Sequence, residues 1–230
     1  MSRYFMRDTS LAGLETAMMF PPFFKQRQSG VAILNRFRYT KESTDCRGCM
    51  EWENIKECGA PYCPWLVERL EACNVSYSEL LKECFRGMDH KSLQVRLQHL
   101  AAGFHGRWFQ DACHRHRFEL VDNSLRILSG RTPNHHIAAL FLLTADEKLW
   151  QLCKNIVTGD TIGFESIKLC GISTDGYAFY QMARTLSTGQ AKITVSELAD
   201  GKLICNSMLA VMVDAILIAR FGSGVLEVMQ

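Results

Sequence analysis

Excess charge of either sign, proline and low-complexity tracts are all scarce in this chain of 230 residues. Its 26 Lys+Arg nearly cancel 24 Asp+Glu to leave a net charge of +2, so the totals call for no polyanionic partner. Five prolines and 47% hydrophobic side chains exclude a disordered chain and leave enough apolar material for one large domain or two smaller ones. No internal repeat is present. Also missing are the GxxxxGK(S/T) loop, a GxGxxG following a strand, the GxSxG elbow and HExxH. A nucleotide-driven motor, a dinucleotide enzyme, a serine hydrolase and a zinc hydrolase of that type therefore lack their signatures.

The N-terminal MSRYFMRDTSLAGLETAMMF has no uninterrupted apolar region and no small-residue cleavage pattern, which predicts a cytoplasmic, reducing setting. The most apolar stretch, Leu203 to Phe221, is interrupted by Asn206, Asp214 and Arg220. A membrane span needs about 20 predominantly apolar residues, so a buried helix is expected there instead.

Cysteine is not scarce. Ten are present, too many for chance and in a chain too long to need a disulfide framework. Four of them crowd together as Cys46-x2-Cys49-x8-Cys58-x4-Cys63, followed at once by Pro64. A two-residue gap lets one tight turn present two sulfurs to the same ion, and four thiolates at about 2.3 Å satisfy tetrahedral Zn²⁺. Gly48 supplies backbone freedom for such a turn. Cys46, Cys49, Cys58 and Cys63 are thus the expected zinc ligands, and a site closed by four sulfurs is structural because no position remains for a reactive water. Such binding contributes on the order of 10 kcal/mol to local folding. Two alternatives stay open: four reduced thiols, and an iron–sulfur cluster, which shares the Cys-Pro step but not these spacings. The scattered Cys84, Cys113, Cys153, Cys170 and Cys205 are expected as inert core thiols.

The fold class expected is mainly α, a helical domain carrying a small N-terminal four-cysteine zinc module. Residues 1–75 would form the basic segment and module, and 76–230 the helical domain, with a possible sub-boundary at the turn-rich 129–133. Apolar residues recurring at three and four predict helices over 90–102, 107–128, 134–143, 174–188 and 206–220, and another from Ser10 to Phe20 is stopped by Pro21 and Pro22. Ser76 with Glu79, and Thr144 with Glu147, have the spacing of capping boxes. Short strands are suggested only near Arg3–Met6 and Lys192–Val195, and Pro64 predicts that Cys63 sits at a helix start.

Residues 1–41 hold seven cations against two carboxylates, and there and over 104–118 cations alternate with rings. Cations neutralise phosphates and rings stack on bases, which makes Arg36, Arg38, Arg107, Arg115 and Arg117 candidate contacts for nucleic acid or an acidic protein surface. The rival expectation places the rings in the core and the cations on a solvated face. His99, His105, His114 and His116 raise a metal-dependent nuclease as an alternative, with Asp111 or Glu119 as the carboxylate. The segment from Thr194 to Arg220 raises a helix-turn-helix regulator, although its second helix is the apolar one.

The Arg3-Tyr4-Phe5-Met6 start, the spaced cysteines ending in Cys63-Pro64, Ala139-Leu140-Phe141-Leu142-Leu143-Thr144-Ala145-Asp146, Ile172-Ser173-Thr174-Asp175-Gly176-Tyr177-Ala178 and Ile218-Ala219-Arg220-Phe221-Gly222 together resemble accessory proteins carried by integrative and conjugative elements of Gram-positive gut bacteria. That resemblance implies a genomic setting and no catalytic residue. It implies a stoichiometric binding protein that regulates transfer or disarms host defence, in the manner of zinc-bearing anti-CRISPR inhibitors, acting on a protein or nucleoprotein of the host or the mobile element.

Overall fold

The computed structural model describes residues 9–10, 12–13, 39–49, 58, 62–129, 132–158 and 161–228. Arg36, Arg38, the Arg3–Met6 strand and most of the expected Ser10–Phe20 helix lie outside these. Residues 38–230 form one compact unit and 1–37 another.

The described residues are mainly helical. Nine α-helices follow in order: α1 (Leu66–Glu71), α2 (Tyr77–Cys84), α3 (Lys91–Gly103), α4 (Ala112–Ser129), α5 (Asn134–Leu143), α6 (Glu147–Cys153), α7 (Thr174–Thr188), α8 (Val195–Ala199) and α9 (Asn206–Phe221). Three 3₁₀ turns, at Cys46–Gly48, Phe164–Ser166 and Ser223–Glu227, and a two-stranded hairpin complete the order. The hairpin pairs Val157 with Ile162 and Thr158 with Thr161. The strand expected near Lys192–Val195 is absent, because Thr194 caps α8 instead, its hydroxyl accepting from the Glu197 N–H.

At the centre, α5 packs on α7 and α9. Every residue from His136 to Leu143 is buried, as expected for a helix that is apolar on all sides and so has no face to give to water. Truncating Phe141 here would cost about 3–5 kcal/mol. No helix of the described residues is long and apolar enough to cross a membrane. Within the apolar stretch, Asn206 to Phe221 forms the largely buried helix α9, with Met208, Leu209, Met212, Leu217 and Ile218 all inside the core, while Leu203 lies in the exposed turn before it.

Around this centre, α2 and α3 pack on each other and on α9, and α8 rests on α3. Arg96 of α3 fixes that arrangement. Its guanidinium donates to Leu198 O (2.7 Å) at the end of α8 and to Ile204 O (2.5 Å) and Asn206 Oδ1 (2.9 Å) at the start of α9, so one side chain ties both helix ends to α3.

The Ser76–Glu79 capping box is present in full at the start of α2. The Thr144–Glu147 box is not. Thr144 is buried and its hydroxyl donates back to Leu140 O (2.8 Å) and Phe141 O (3.0 Å) at the end of α5, so Asp146 caps α6 by accepting from Leu149 N (2.7 Å). Helices α4 and α5, on either side of 129–133, belong to the same compact unit. Helix α4 starts at Ala112, not at residue 107, because residues 104–111 serve as a loop that drives Phe104 and Trp108 into the core.

Candidate functional site: the cysteine segment

The segment before Cys46 is tied down by Asn74, which follows α1. Its amide Nδ2 donates to Thr44 O at 3.0 Å and to Lys41 O at 3.4 Å. Asp45 then caps the 3₁₀ turn Cys46–Gly48 by accepting from the Arg47 N–H (2.9 Å), and the Arg47 guanidinium and N–H hold the Asp45 carboxyl down at about 2. The Cys49 N–H closes the turn on Cys46 O at 2.9 Å. The Cys-x2-Cys pair therefore occupies the tight turn its spacing predicts. An open cleft of about 380 Å³ lies beside it, lined by Lys41, Glu42, Asp45, Cys46, Arg47 and Asn74.

Cys63 reaches the same neighbourhood from the other side. Pro64 and Trp65 form the turn into α1, one step earlier than the first helical turn expected for the proline. Burial pushes the Cys46 thiol up. The Arg69 cation opposes that, and Glu79, Cys63 and Cys49 add to it, so these four groups lie within electrostatic reach of Cys46.

Arg69 stands between the partners. Its Nη1 is 3.8 Å from Cys63 Sγ and 2.9 Å from Glu79 Oε1. Burial would lower the Arg69 pKa, but the Glu79 and Cys63 hydrogen bonds and the Glu79 and Cys46 charges raise it on balance. Glu79 is held below the usual carboxylate range although burial works the other way, because it accepts from Ser76 and Arg69.

The four cysteines do not form a finished metal cage. Among the described residues no group of three or more His, Cys, Asp and Glu side chains is placed to hold a metal ion, and Cys58 is exposed while Cys46, Cys49 and Cys63 are half-buried. The turn places Cys46 and Cys49 as the two-residue gap predicts, and Cys63 lies at the entry to α1. The spacing did not anticipate the Arg69–Glu79 pair, whose only sequence signal was the capping-box glutamate.

The histidine cluster disperses. His99, His105 and His116 are exposed, whereas His114 is fully buried and both ring nitrogens are used: Nδ1 accepts from Gln110 N (3.2 Å) and Nε2 donates to Phe141 O (2.8 Å). Asp111 caps the His114 N–H at 2.6 Å and Glu119 pairs with Arg115 at 2.7 Å. Among the described residues these side chains form no group placed to hold a metal ion, and the enclosed His114 has no lone pair left for one.

The cation–aromatic stretch over 104–118 resolves as the rival expectation had it. Phe104, Trp108 and Phe118 are core residues, with no face left for a base to stack on. Arg117 is committed to the end of α5, donating to Thr144 O at 2.7 Å and to Ala145 O at 3.3 Å. Arg107 and Arg115 are exposed. The helix-turn-helix reading is disfavoured, because α9 buries Met208, Leu209, Val211 to Ala215, Leu217 and Ile218 and exposes only Asn206, Ser207 and Arg220 near its ends.

Of the five scattered cysteines, Cys153 is buried and Cys84 half-buried, but Cys113, Cys170 and Cys205 are exposed, which corrects the expectation that all five are core thiols. They ride on surface positions of α4, a loop and the start of α9. No protein-family model, curated protein or solved structure matches this chain.

Proposed function

We infer that this chain is a zinc-stabilised, non-enzymatic binding protein of the cytoplasm. The observation that carries the reading is the tight turn that holds Cys46 and Cys49 together, the Cys49 N–H donating to Cys46 O at 2.9 Å, with Cys63 Sγ 3.8 Å from the Arg69 guanidinium that also acts on Cys46. Soft thiolates suit Zn²⁺, and the turn at Cys46–Gly48 already presents two of them. Cys58, exposed in this structure, is the fourth sulfur that the reading requires. A metal held by four thiolates supplies folding energy and rigidity and leaves no position for a reactive water.

The target class follows from the sequence resemblance together with the free surface of α4 and the loop before it. A mobile-element protein that regulates transfer, or that inhibits a host defence such as CRISPR, acts by covering a nucleoprotein. Of the candidate contacts among the described residues, Arg107 and Arg115 are exposed, Arg115 in a surface pair with Glu119, while Arg117 is committed to the end of α5. Gel-shift titration of the full chain against single-stranded and duplex nucleic acid tests this. Phosphate contact predicts binding at low salt that weakens steeply as salt rises, and a loss when Arg107 and Arg115 are replaced together by alanine. No shift at low salt overturns direct nucleic-acid contact and leaves a protein surface as the target.

A further inference from the structure

Helix α1 is too short to stand on its own hydrogen bonds, so its neighbours must hold it. It buries Leu66, Glu68 and Leu70, yet among the described elements it packs most extensively not on a helix but on the 3₁₀ turn Ser223–Glu227 that follows α9. That turn is reached through Gly222. Its φ of +90° lies in a region that a side chain resists, and a Cβ there would come 3.3 Å from Asn134 Oδ1 at the start of α5. The Gly222 N–H closes α9 on Ile218 O at 2.8 Å, and the chain then leaves the helix to meet α1.

Burial of side chains holds this segment down. Val225 and Val228 are fully buried and Leu226 packs on the same core, while two of its N–H groups close within it, Val225 N–H on Gly222 O (3.3 Å) and Val228 N–H on Val225 O (3.0 Å). Trp108 Nε1 donates to Val228 O at 2.9 Å. On the other side the Cys73 thiol, just beyond α1, lies 4.0 Å from Glu227 Oε2. Helices α5, α7 and α9, by contrast, pack directly on one another.

We propose that residues 222–228 are a strap: seated, they clamp α1 to the helical core, and lifted, they free α1 while α5, α7 and α9 stay packed. The effect reaches the cysteine segment. Asn74, just past α1, is the residue that bonds Lys41 O and Thr44 O, and Cys63 lies at the entry to α1, so loosening α1 loosens both attachments. A segment held by a few buried side chains opens more readily than the core it rests on. The strap therefore governs how firmly the cysteine segment is held, whether or not that segment binds a metal.

Hydrogen exchange read by mass spectrometry on the full-length chain tests the two halves of this claim separately, with wild type compared against Gly222→Val and against Val225→Ala combined with Val228→Ala. Amides of residues 66–74 are expected to exchange about 10-fold faster or more in both variants, with those of α5 and α7 at the wild-type rate. Wild-type exchange over 66–74 in the double-alanine variant overturns the strap. Equal acceleration of α5 and α7 in that variant overturns it too, because residues 222–228 would then be part of the core and not a separable clamp. Should Gly222→Val fail to fold, the double-alanine variant decides alone.

Discussion

The Tyr77 hydroxyl donates a 2.8 Å hydrogen bond to Asp214 Oδ1, joining the first turn of α2 to the middle of α9. Tyr77 also stacks on Phe104 with centroids 4.0 Å apart and meets the edge of Trp108, whose Nε1 donates to Val228 O at 2.9 Å. One buried acid thus anchors an aromatic cluster that holds α2, α9 and the C-terminal segment together. Asp214 is only 3% exposed. Burial raises its pKa well above the ordinary value, with the Tyr77 hydrogen bond opposing.

The unfolded acid titrates near about 3.9 and the folded one higher, so between the two the native state keeps a proton that the unfolded state has released. Stability is full below the unfolded value and is lost as pH rises through the folded one. Asp214→Asn removes that loss while keeping an acceptor for Tyr77, so urea melts should show it equal to wild type at acid pH and more stable at pH 8. Tyr77→Phe should cost about 1–3 kcal/mol by leaving the acid without its donor.

His114 has the opposite dependence. Burial lowers its pKa to about 4, the Phe141 carbonyl opposing, Arg117 adding and Asp111 opposing. The unfolded imidazole titrates near about 6.5, so the contribution is complete above that value and is lost as pH falls toward 4, on the order of 3 kcal/mol over the window. Denaturant melts between pH 7 and 4 should show this slope, and His114→Gln should flatten it.

Cys73 takes φ +51°, a left-handed conformation that costs a side chain roughly 1–2 kcal/mol. It ends α1 as a Schellman turn: Asn74 N–H donates to Arg69 O (2.8 Å) and Cys73 N–H to Leu70 O (3.0 Å). Cys73→Gly is therefore expected to raise the thermal midpoint, and Cys73→Val to lower it.

Thiol reactivity should rank by environment. Cys205 is exposed, and hydrogen bonding from Ser207 and the Met208 N–H lowers its pKa, with burial opposing, whereas burial pushes Cys84 up to about 11 and Cys153 up to about 12. Only the thiolate attacks an electrophile. Timed alkylation followed by peptide mass mapping should find Cys205 modified well before Cys84 and Cys153.

Much of this fold was legible from spacing alone. The bounds of α5 and α7 follow from apolar periodicity between turn residues, and the α2 capping box from Ser76 and Glu79. The misses share a cause: competing hydrogen bonds and core packing outweighed the spacing pattern. Thr144 had the spacing of a cap but was captured by α5 carbonyls, and residues 107–111 had helical periodicity but were drawn out by the burial of Trp108. At the cysteine segment, spacing anticipated the turn that holds Cys46 and Cys49. It was silent on Arg69, because the pairing of that cation with Glu79 exists only once α1 and α2 are packed.

The central claim is that the cysteine segment holds zinc. Elemental analysis of purified full-length protein, as wild type and with Cys46 and Cys49 both replaced by serine, tests it most directly. The account predicts one zinc per chain in the wild type and a stoichiometry near zero in the double variant. Wild-type protein without zinc, or a double variant that retains it, would contradict the account.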